Sequence, residues 1–237
     1  MASLDDEFRL EAENLDLRRL LAKAGIDAAE QEVAKKLQRL ILEELHHRVK
    51  NMLATVQAIA SQSLRSADTL EQARSAIENR LAALSRVHDL LLKANWSEAM
   101  LDAVVKTAIE PFETKTAQQF SVHADSLKLS PNAVLPIAMV INELCTNAVK
   151  YGALSTPAGH VNIDASIDAD RNMLLFNWTE KNGPVVREPS RRSFGSKLME
   201  HAFVSQLEAK ASLKFAPGGV CYELEAPLDV IAPNWRA

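Results

Sequence analysis

A long helical pattern of apolar residues occupies the N-terminal third of the chain. Its members recur mostly at three- and four-residue steps, as on one face of a helix: Val33, Leu37, Leu40, Leu45, Val49, Met52, Val56 and Ile59. This pattern predicts a helix over residues 28–64 with the stripe buried. An earlier helical segment, residues 4–22, is expected to end at Gly25.

A second long helix is expected after a short polar connection. Residues 68–71 have the spacing of a capping box, and a second apolar stripe follows them: Leu70, Ile77, Leu81, Leu84, His88 and Leu91. Two long helices joined by a few residues are expected to pack as antiparallel neighbours. A second copy would complete a four-helix bundle, so we expect a homodimer, with His88 packed rather than catalytic.

The pattern changes after residue 100, where short alternating segments indicate strands. Strands are expected at residues 119–123, 161–167, 173–180 and 220–224, and helices at 101–112, 131–150 and 195–207. Ser130 and Pro131 suit a helix start, whereas Pro136 is expected to bend that helix or delay it. The fold class is therefore α+β, with a mixed sheet covered on one face by helices.

Composition narrows the functional classes. The 237 residues carry a net charge of -4, which gives no electrostatic case for a nucleic-acid binder. Two distant cysteines, Cys145 and Cys221, suggest neither a disulfide framework nor a zinc site. The apolar run at residues 133–141 is too short to span a membrane, and the N-terminus is acidic. We therefore expect a cytoplasmic protein with no membrane span.

The first candidate for chemistry lies within the long N-terminal helix. Residues 46–51 read His46-His47-Arg48-Val49-Lys50-Asn51. At about 100° per residue, His47 lies roughly 200° from Leu45 and Val49, so it should face solvent. A neutral imidazole nitrogen is a competent nucleophile, and Arg48 and Lys50 could offset the charge of an incoming phosphoryl group. The preceding histidine is the weaker candidate, and two ordinary surface histidines are the alternative.

The second candidate lies on the helix expected at residues 131–150. Glu143, Asn147 and Lys150 recur there at i, i+4 and i+7, on one helical face. An amide oxygen supplemented by phosphate oxygens can bind magnesium, which keeps several waters. This face could therefore hold a magnesium ion and the phosphates of a nucleotide. A polar stripe on a surface helix is the alternative interpretation.

Two later segments favour the nucleotide interpretation. Glu180 ends an expected strand, where its carboxylate can accept a hydrogen bond from an exocyclic amine. Gly183 follows it and lets the backbone approach a flat base. Gly195 opens the last expected helix, and a glycine at a helix N-terminus can cradle a phosphate.

The order of the motifs HRVKN, NELCTNAVKYGALS, WTEKNGP and SFGSKLM resembles the cytoplasmic histidine kinases of the HWE type and the closely related group. The resemblance covers about residues 40–228. It implies a helical-hairpin dimerisation and phosphotransfer domain, followed by a Bergerat-type α/β sandwich that binds ATP. The expected boundaries are an N-terminal helix at 1–27, the hairpin at 28–97, the ATP-binding domain at 98–230 and a tail at 231–237.

The same resemblance implies individual roles. His47 would be the phosphoacceptor and Asn147 the magnesium-binding amide. Glu180 would recognise adenine, with Gly183 lining the base site and Gly195 near the phosphates. Three further residues belong to the same nucleotide motif: Glu143, Lys150 and Tyr151. Asn142 stands where HWE kinases carry histidine, and Ser193 stands where glycine is frequent.

The expected reaction is transfer of the γ-phosphoryl group of ATP, with Mg²⁺, to His47 and then to an aspartate of a response-regulator receiver domain. A lid at residues 185–193, with Arg187, Arg191 and Arg192, would close over ATP. The signal is expected through the N-terminal helix, an upstream sensory protein or the dimer interface. Two alternatives stay open: a phosphotransfer adaptor with a degenerate nucleotide domain, and an ATPase in which Glu143 activates water.

Overall fold

The structure is a computed structural model that describes residues 2–94, 98–113, 118–186 and 203–236. The chain divides into two compact units, residues 1–57 and residues 58–237. Helix α1, Ala2–Ser66, supplies the first unit and reaches into the second.

Helix α1 is one uninterrupted helix of 65 residues. The prediction that Gly25 ends one helix and that another begins near residue 28 is therefore wrong. A glycine inside a helix costs about 1 kcal/mol relative to alanine. The strong helix formers on both sides, among them Leu21 and Lys23 before the glycine and Ala28 after it, outweigh that cost.

The apolar stripe of α1 is exposed over most of its length. Its members upstream of Met52 have between 50% and 66% of their surface exposed: Val33, Leu37, Leu40, Leu45 and Val49. Met52 and Val56 are half-buried, and Ile59, in the second unit, is buried. The prediction of a buried stripe is therefore wrong for the single chain over residues 33–49.

Helix α2, Leu70–Lys93, begins with a side-chain cap. The Thr69 hydroxyl accepts a hydrogen bond from the Gln72 N–H at 3.2 Å, and the Gln72 side chain accepts from the Asp68 N–H at 3.1 Å. The cap therefore lies one residue later than the predicted box at residues 68–71. Leu70 of the predicted stripe is exposed, and α2 packs its buried side on the helices that follow.

The second unit contains the remaining described helices. They are α3, Leu101–Ile109, α4, Pro131–Tyr151, α5, Phe203–Gln206, and α6, Leu228–Ile231, with single 3-10 turns at Glu110–Phe112 and Ala153–Ser155. Pro131 occupies the first turn of α4, and Pro136 lies inside the helix without delaying its start. Of the helix predicted at residues 195–207, only α5 lies within the described residues.

Helix α4 is the central helix of this unit. Thirteen of its 21 residues are buried, including the two polar residues Asn142 and Glu143. Among the described residues it alone has the length and apolar composition of a membrane-spanning helix. Since 72% of that stretch is buried inside the fold, the composition matches that of a core helix.

The main sheet of the second unit is mixed, as predicted. Its strands are β2, Phe120–Ala124, β4, His160–Asp168, β5, Met173–Lys181, β6, Lys210–Ala216, and β7, Gly219–Pro227, in the order β2-β4-β5-β7-β6. Strands β2 and β4 are parallel and the other neighbours are antiparallel. Short strands β1, Ala99–Met100, and β3, Lys128–Leu129, form a separate pair. Strand β6 is not among the strands predicted from the sequence.

Alternate residues of the central strands are buried on one face of this sheet. They are Val161, Ile163 and Ala165 on β4, Leu174, Phe176 and Trp178 on β5, and Tyr222, Leu224 and Ala226 on β7. The intervening residues are half-buried or exposed, which is the alternation expected of a sheet with one covered face. The α+β class is therefore confirmed.

The turn before β7 requires glycine at one position. Gly219 has φ +148°, and a Cβ there would contact the backbone carbonyl of Glu180. Gly219→Ala should therefore lower the free energy of unfolding by about 1–3 kcal/mol, measured by urea denaturation. Gly218→Ala is the matched control, because a Cβ at the neighbouring glycine meets open space. Equal stability of the two variants would contradict this account.

Candidate functional site

A buried carboxylate stands where strand β5 meets the end of helix α4. Glu180 is 3% exposed, and both of its carboxylate oxygens accept hydrogen bonds from the protein. Oε2 accepts from the backbone N–H of Ala153 at 2.7 Å, and Oε1 accepts from the indole Nε1–H of Trp178 at 3.2 Å. Two donors from different elements therefore fix the orientation of this carboxylate.

Two glycines permit the close approach around Glu180. A Cβ on Gly152 would meet Oε2 of Glu180, and a Cβ on Gly183 would lie 2.7 Å from Cα of Ala153. Any larger residue at either position would force these segments apart. The glycines of the motifs KYGALS and WTEKNGP therefore bring the end of α4 against the end of β5.

Burial raises the pKa of Glu180 above its usual value. The hydrogen bonds from Ala153 and Trp178 oppose this effect without cancelling it. The nearby thiol of Cys145 has a pKa well above 9.0, first because it is buried and then because Glu180 is negatively charged. Cys145 is therefore a packed thiol rather than a reactive thiolate.

The second buried carboxylate, Glu143 of α4, forms an ion pair. Arg80 of α2 donates from Nε to Oε1 at 2.7 Å and from Nη2 to Oε2 at 2.8 Å. The two side chains are 9% and 5% exposed. Arg80 also donates from Nη1 to the hydroxyl of Ser63 at 2.6 Å. One guanidinium group therefore connects the end of α1, α2 and α4.

Sequence reasoning missed Arg80, although the sequence carries a signal for it. The residue falls at a three- and four-residue step within the inward side of α2: Ala73, Ile77, Arg80, Leu84, Val87 and Leu91. A charged residue at an apolar stripe position must find a partner when it is buried. The identity of that partner depends on which helix packs against α2, and the local pattern does not contain it.

The residues of the predicted polar face of α4 differ in how deeply they are buried. Glu143 is buried against Arg80, Asn147 is half-buried, and Lys150 and Tyr151 are exposed. An amide at a half-buried position fits a magnesium ion that takes most of its ligands from phosphate and water. The lysine one turn further on is accessible to an anionic ligand.

Asn142 is a further buried polar residue of α4. It is 2% exposed, and its Nδ2 has no hydrogen-bond partner among the described atoms. A buried donor without a partner costs about 1–3 kcal/mol. The carbonyl of the same residue accepts from the Thr146 hydroxyl at 2.8 Å.

The remaining predicted residues fall into two groups. His47 is exposed on α1 in the first unit, as predicted, but neighbouring His46, Leu45 and Val49 are exposed too. Exposure therefore does not single out His47. The side chain of Arg48 lies outside the described side chains, and Gly195, Ser193 and the three lid arginines lie outside the described residues. Across the described ranges, histidine, cysteine, aspartate and glutamate form no group of three that could hold a metal.

Comparisons with known proteins identify relatives. Residues 44–126 match the family model "HWE histidine kinase". The chain is 38% identical over 204 residues to a blue-light-activated histidine kinase of Brucella ovis, and 35% identical over 205 residues to one of Brucella anthropi. These matches cover 85% and 86% of the chain but 42% of each relative. The chain therefore spans less than half the length of the curated relatives it matches.

Solved structures show the same fold class. The histidine kinase domain of a blue-light-activated histidine kinase from Erythrobacter litoralis matches with a TM-score of 0.53 at 14% identity, covering 74% of this chain and 96% of that domain. A longer chain of that kinase matches with a TM-score of 0.57 at 18% identity, covering 79% of this chain and 58% of the other. At these identities the likeness concerns the fold.

The raised pKa of Glu180 should appear in the stability of the protein. The folded state holds the proton more tightly than the unfolded state, so the contribution of Glu180 is fully present below the ordinary value of 4.5. It is lost as the pH rises through the folded-state pKa. The free energy of unfolding of wild type, relative to Glu180→Gln, should therefore fall as the pH rises above 4.5.

This difference is measured by chemical denaturation at a series of pH values. Glu110→Gln, which changes an exposed carboxylate, is the control for the loss of one negative charge. The assignment would be contradicted if the free energy of unfolding of wild type, relative to Glu180→Gln, stayed constant or rose with rising pH.

Proposed function

We propose that this chain, whose residues 44–126 belong to the HWE histidine kinase family, is a protein-histidine kinase that phosphorylates its own His47 from Mg-ATP. The observation that carries the proposal is the contact of Glu180 with the residues that directly follow α4. It brings the motif with Asn147 and the motif with Glu180 and Gly183 to one place in the second unit.

We propose a helical hairpin for dimerisation and phosphotransfer, followed by an ATP-binding domain of the Bergerat type at residues 98–230. The mixed five-stranded sheet and the buried helix α4 support this arrangement. So does the likeness to the histidine kinase domain from Erythrobacter litoralis.

Glu180 is proposed to accept a hydrogen bond from the exocyclic amine of adenine. Each of its oxygens uses one lone pair on Ala153 or Trp178, and a carboxylate oxygen can accept a second bond. Gly183 would line the base, and Gly195 would lie near the phosphates. The carboxylate must be ionised to accept from the amine.

The phosphate end of the nucleotide is assigned to α4. Asn147 would provide an oxygen ligand to magnesium, while Lys150 would offset phosphate charge and Tyr151 would flank the site. Bound magnesium would neutralise part of the charge on the triphosphate. Phosphoryl transfer needs mainly positioning and charge neutralisation, which are the contributions these residues can make.

In the proposed reaction a ring nitrogen of His47 supplies its lone pair to the γ-phosphorus. The new N–P bond forms as the bond from phosphorus to the bridging oxygen breaks, and ADP leaves with that electron pair. The other ring nitrogen then releases its proton to water. Arg48 and Lys50 would stabilise the phosphoryl group, which is next transferred to an aspartate of a response-regulator receiver domain in the cytoplasm.

The ATPase alternative finds no support in the site. A carboxylate that activates water must be available to take a proton, whereas both oxygens of Glu143 accept from a buried guanidinium. Protonating Glu143 would leave the charge of Arg80 buried without a counterion.

We also propose that the chain forms a homodimer through α1. The apolar residues of the stripe over residues 33–49 each leave at least half of their surface exposed, and an exposed apolar stripe of this kind marks an interaction surface. A second copy presents the same stripe, so a two-fold pairing would bury both and build a four-helix bundle.

Replacing His47 tests the phosphoacceptor. The purified chain is incubated with magnesium and γ-labelled ATP, and the label is tested for acid and alkali stability. Wild type should carry an acid-labile, alkali-stable label, and His47→Gln should lose it while keeping its circular dichroism spectrum. His46→Gln is the matched control and should keep the label. Undiminished labelling of His47→Gln would refute the assignment.

Replacing Asn147 tests the nucleotide site. Asn147→Ala should weaken Mg-ATP binding by about 10- to 100-fold, since it removes the proposed metal ligand. Binding is measured by titration calorimetry with and without magnesium. A chain that binds no ATP but accepts phosphate from a phosphorylated receiver would be a relay adaptor instead.

A charge within the exposed stripe tests the dimer. Leu40→Glu should shift the protein from dimer to monomer, because two like charges would meet in an apolar interface. Arg39→Glu introduces a carboxylate on the same helix, about 160° from Leu37 and about 120° from Leu45, and should remain dimeric. Light scattering after gel filtration measures both masses, and a wild-type monomer would refute the proposed interface.

A further inference from the structure

Arg80 of α2 and Glu143 of α4 form a buried ion pair, although an apolar contact could also join these two helices. Removing a carboxylate and a guanidinium from water costs several kcal/mol per ion, and an apolar pair in the same place is often at least as stable. Such a pair can specify one arrangement of the elements that it joins. Here it fixes the turn of α4 that precedes the turn with Asn147.

We infer that Arg80 is a positioning residue of the kinase reaction, and that Glu143 serves as its anchor rather than as a proton acceptor. This inference rests on the proposed function. The ion pair fixes the rotation of α4 about its axis and its position along that axis relative to α2. Asn147 lies one turn further along the same helical face, so its position depends on this ion pair. The hydroxyl of Ser63 extends the same restraint to the end of α1.

The hydrogen bonds of Glu143 argue against a role as a base. Both oxygens accept from Arg80, at 2.7 and 2.8 Å, and the side chain is 5% exposed. Accepting a proton would turn the carboxylate into a neutral acid against a permanently charged, buried guanidinium.

The chemistry of histidine does not require a carboxylate base before attack. A neutral imidazole already carries a lone pair on one ring nitrogen, and the proton on the other nitrogen can leave after the N–P bond forms. Glu143 can therefore be assigned to holding α4 without leaving the proposed reaction short of a group.

Exchanging Arg80 and Glu143 tests whether Glu143 acts as an anchor or as a base. The double variant Arg80→Glu with Glu143→Arg restores an ion pair but moves the carboxylate from α4 to α2. Each single variant should lower kcat/KM for Mg-ATP by about 10- to 100-fold, the usual cost of losing a group that orients a ligand. The reversed pair should recover most of kcat and KM, with the wild-type pH profile of kcat.

A second double variant, which has no basic group at either position, covers the case in which the reversed pair does not fold. Arg80→Gln with Glu143→Gln can form two reciprocal amide hydrogen bonds and carries neither charge nor a basic group. Recovery of kcat by either folded pair supports the anchor. A folded pair that binds Mg-ATP as wild type does and yet shows no kcat would overturn it, because the missing function would then be proton transfer.

Arg74→Met is the matched control on α2. Arg74 is an exposed arginine that pairs with Glu71 at 2.7 Å, so its loss should leave kcat, KM and ATP binding unchanged. Mg-ATP binding is measured for every variant. If wild type binds Mg-ATP but does not label His47, the proposed function fails, and recovery of ATP affinity by the reversed pair still decides whether Arg80 positions α4.

Discussion

The second unit depends on burying α4 along most of its length while the charge of its carboxylate at position 143 is balanced inside the protein. Thirteen residues of this helix are buried, so its carboxylate at position 143 and the backbone just beyond its end must find partners inside the protein. Arg80 provides one partner and Glu180 the other. Each contact joins α4 to a different element, and together they fix both ends of the segment that carries Asn147.

The two buried carboxylates differ in their partners, and that difference assigns them different tasks. Glu143 faces a guanidinium, which neutralises its charge and occupies both oxygens. Within the described part of the chain, Glu180 accepts hydrogen bonds from two neutral donors, Ala153 and Trp178, and burial raises its pKa. A carboxylate that is held by neutral donors suits recognition of an amine, whereas one that is paired with a guanidinium suits cohesion between helices. A sequence shows two glutamates and cannot show this distinction.

Helix α1 shows how a pattern can be read correctly and still predict the wrong environment. Its apolar stripe has a helical period, and the helix forms, yet the single chain leaves residues such as Leu37 and Leu40 exposed. Periodicity reports that one face avoids water, but not which molecule covers it. Likewise, Gly25 marks a local preference that the helix formers around it override.

The sequence by itself determined the local elements and the chemistry available to them. Periods of two and of three to four placed β4, β5, β7, α2 and α4 within a few residues, because these periods follow from backbone geometry. The motifs supplied the candidate residues His47, Asn147 and Glu180. Only the tertiary structure decided that Arg80 pairs with Glu143, and that the backbone of Ala153 holds Glu180. Such contacts join residues 63 and 27 positions apart, and their formation depends on how whole elements pack.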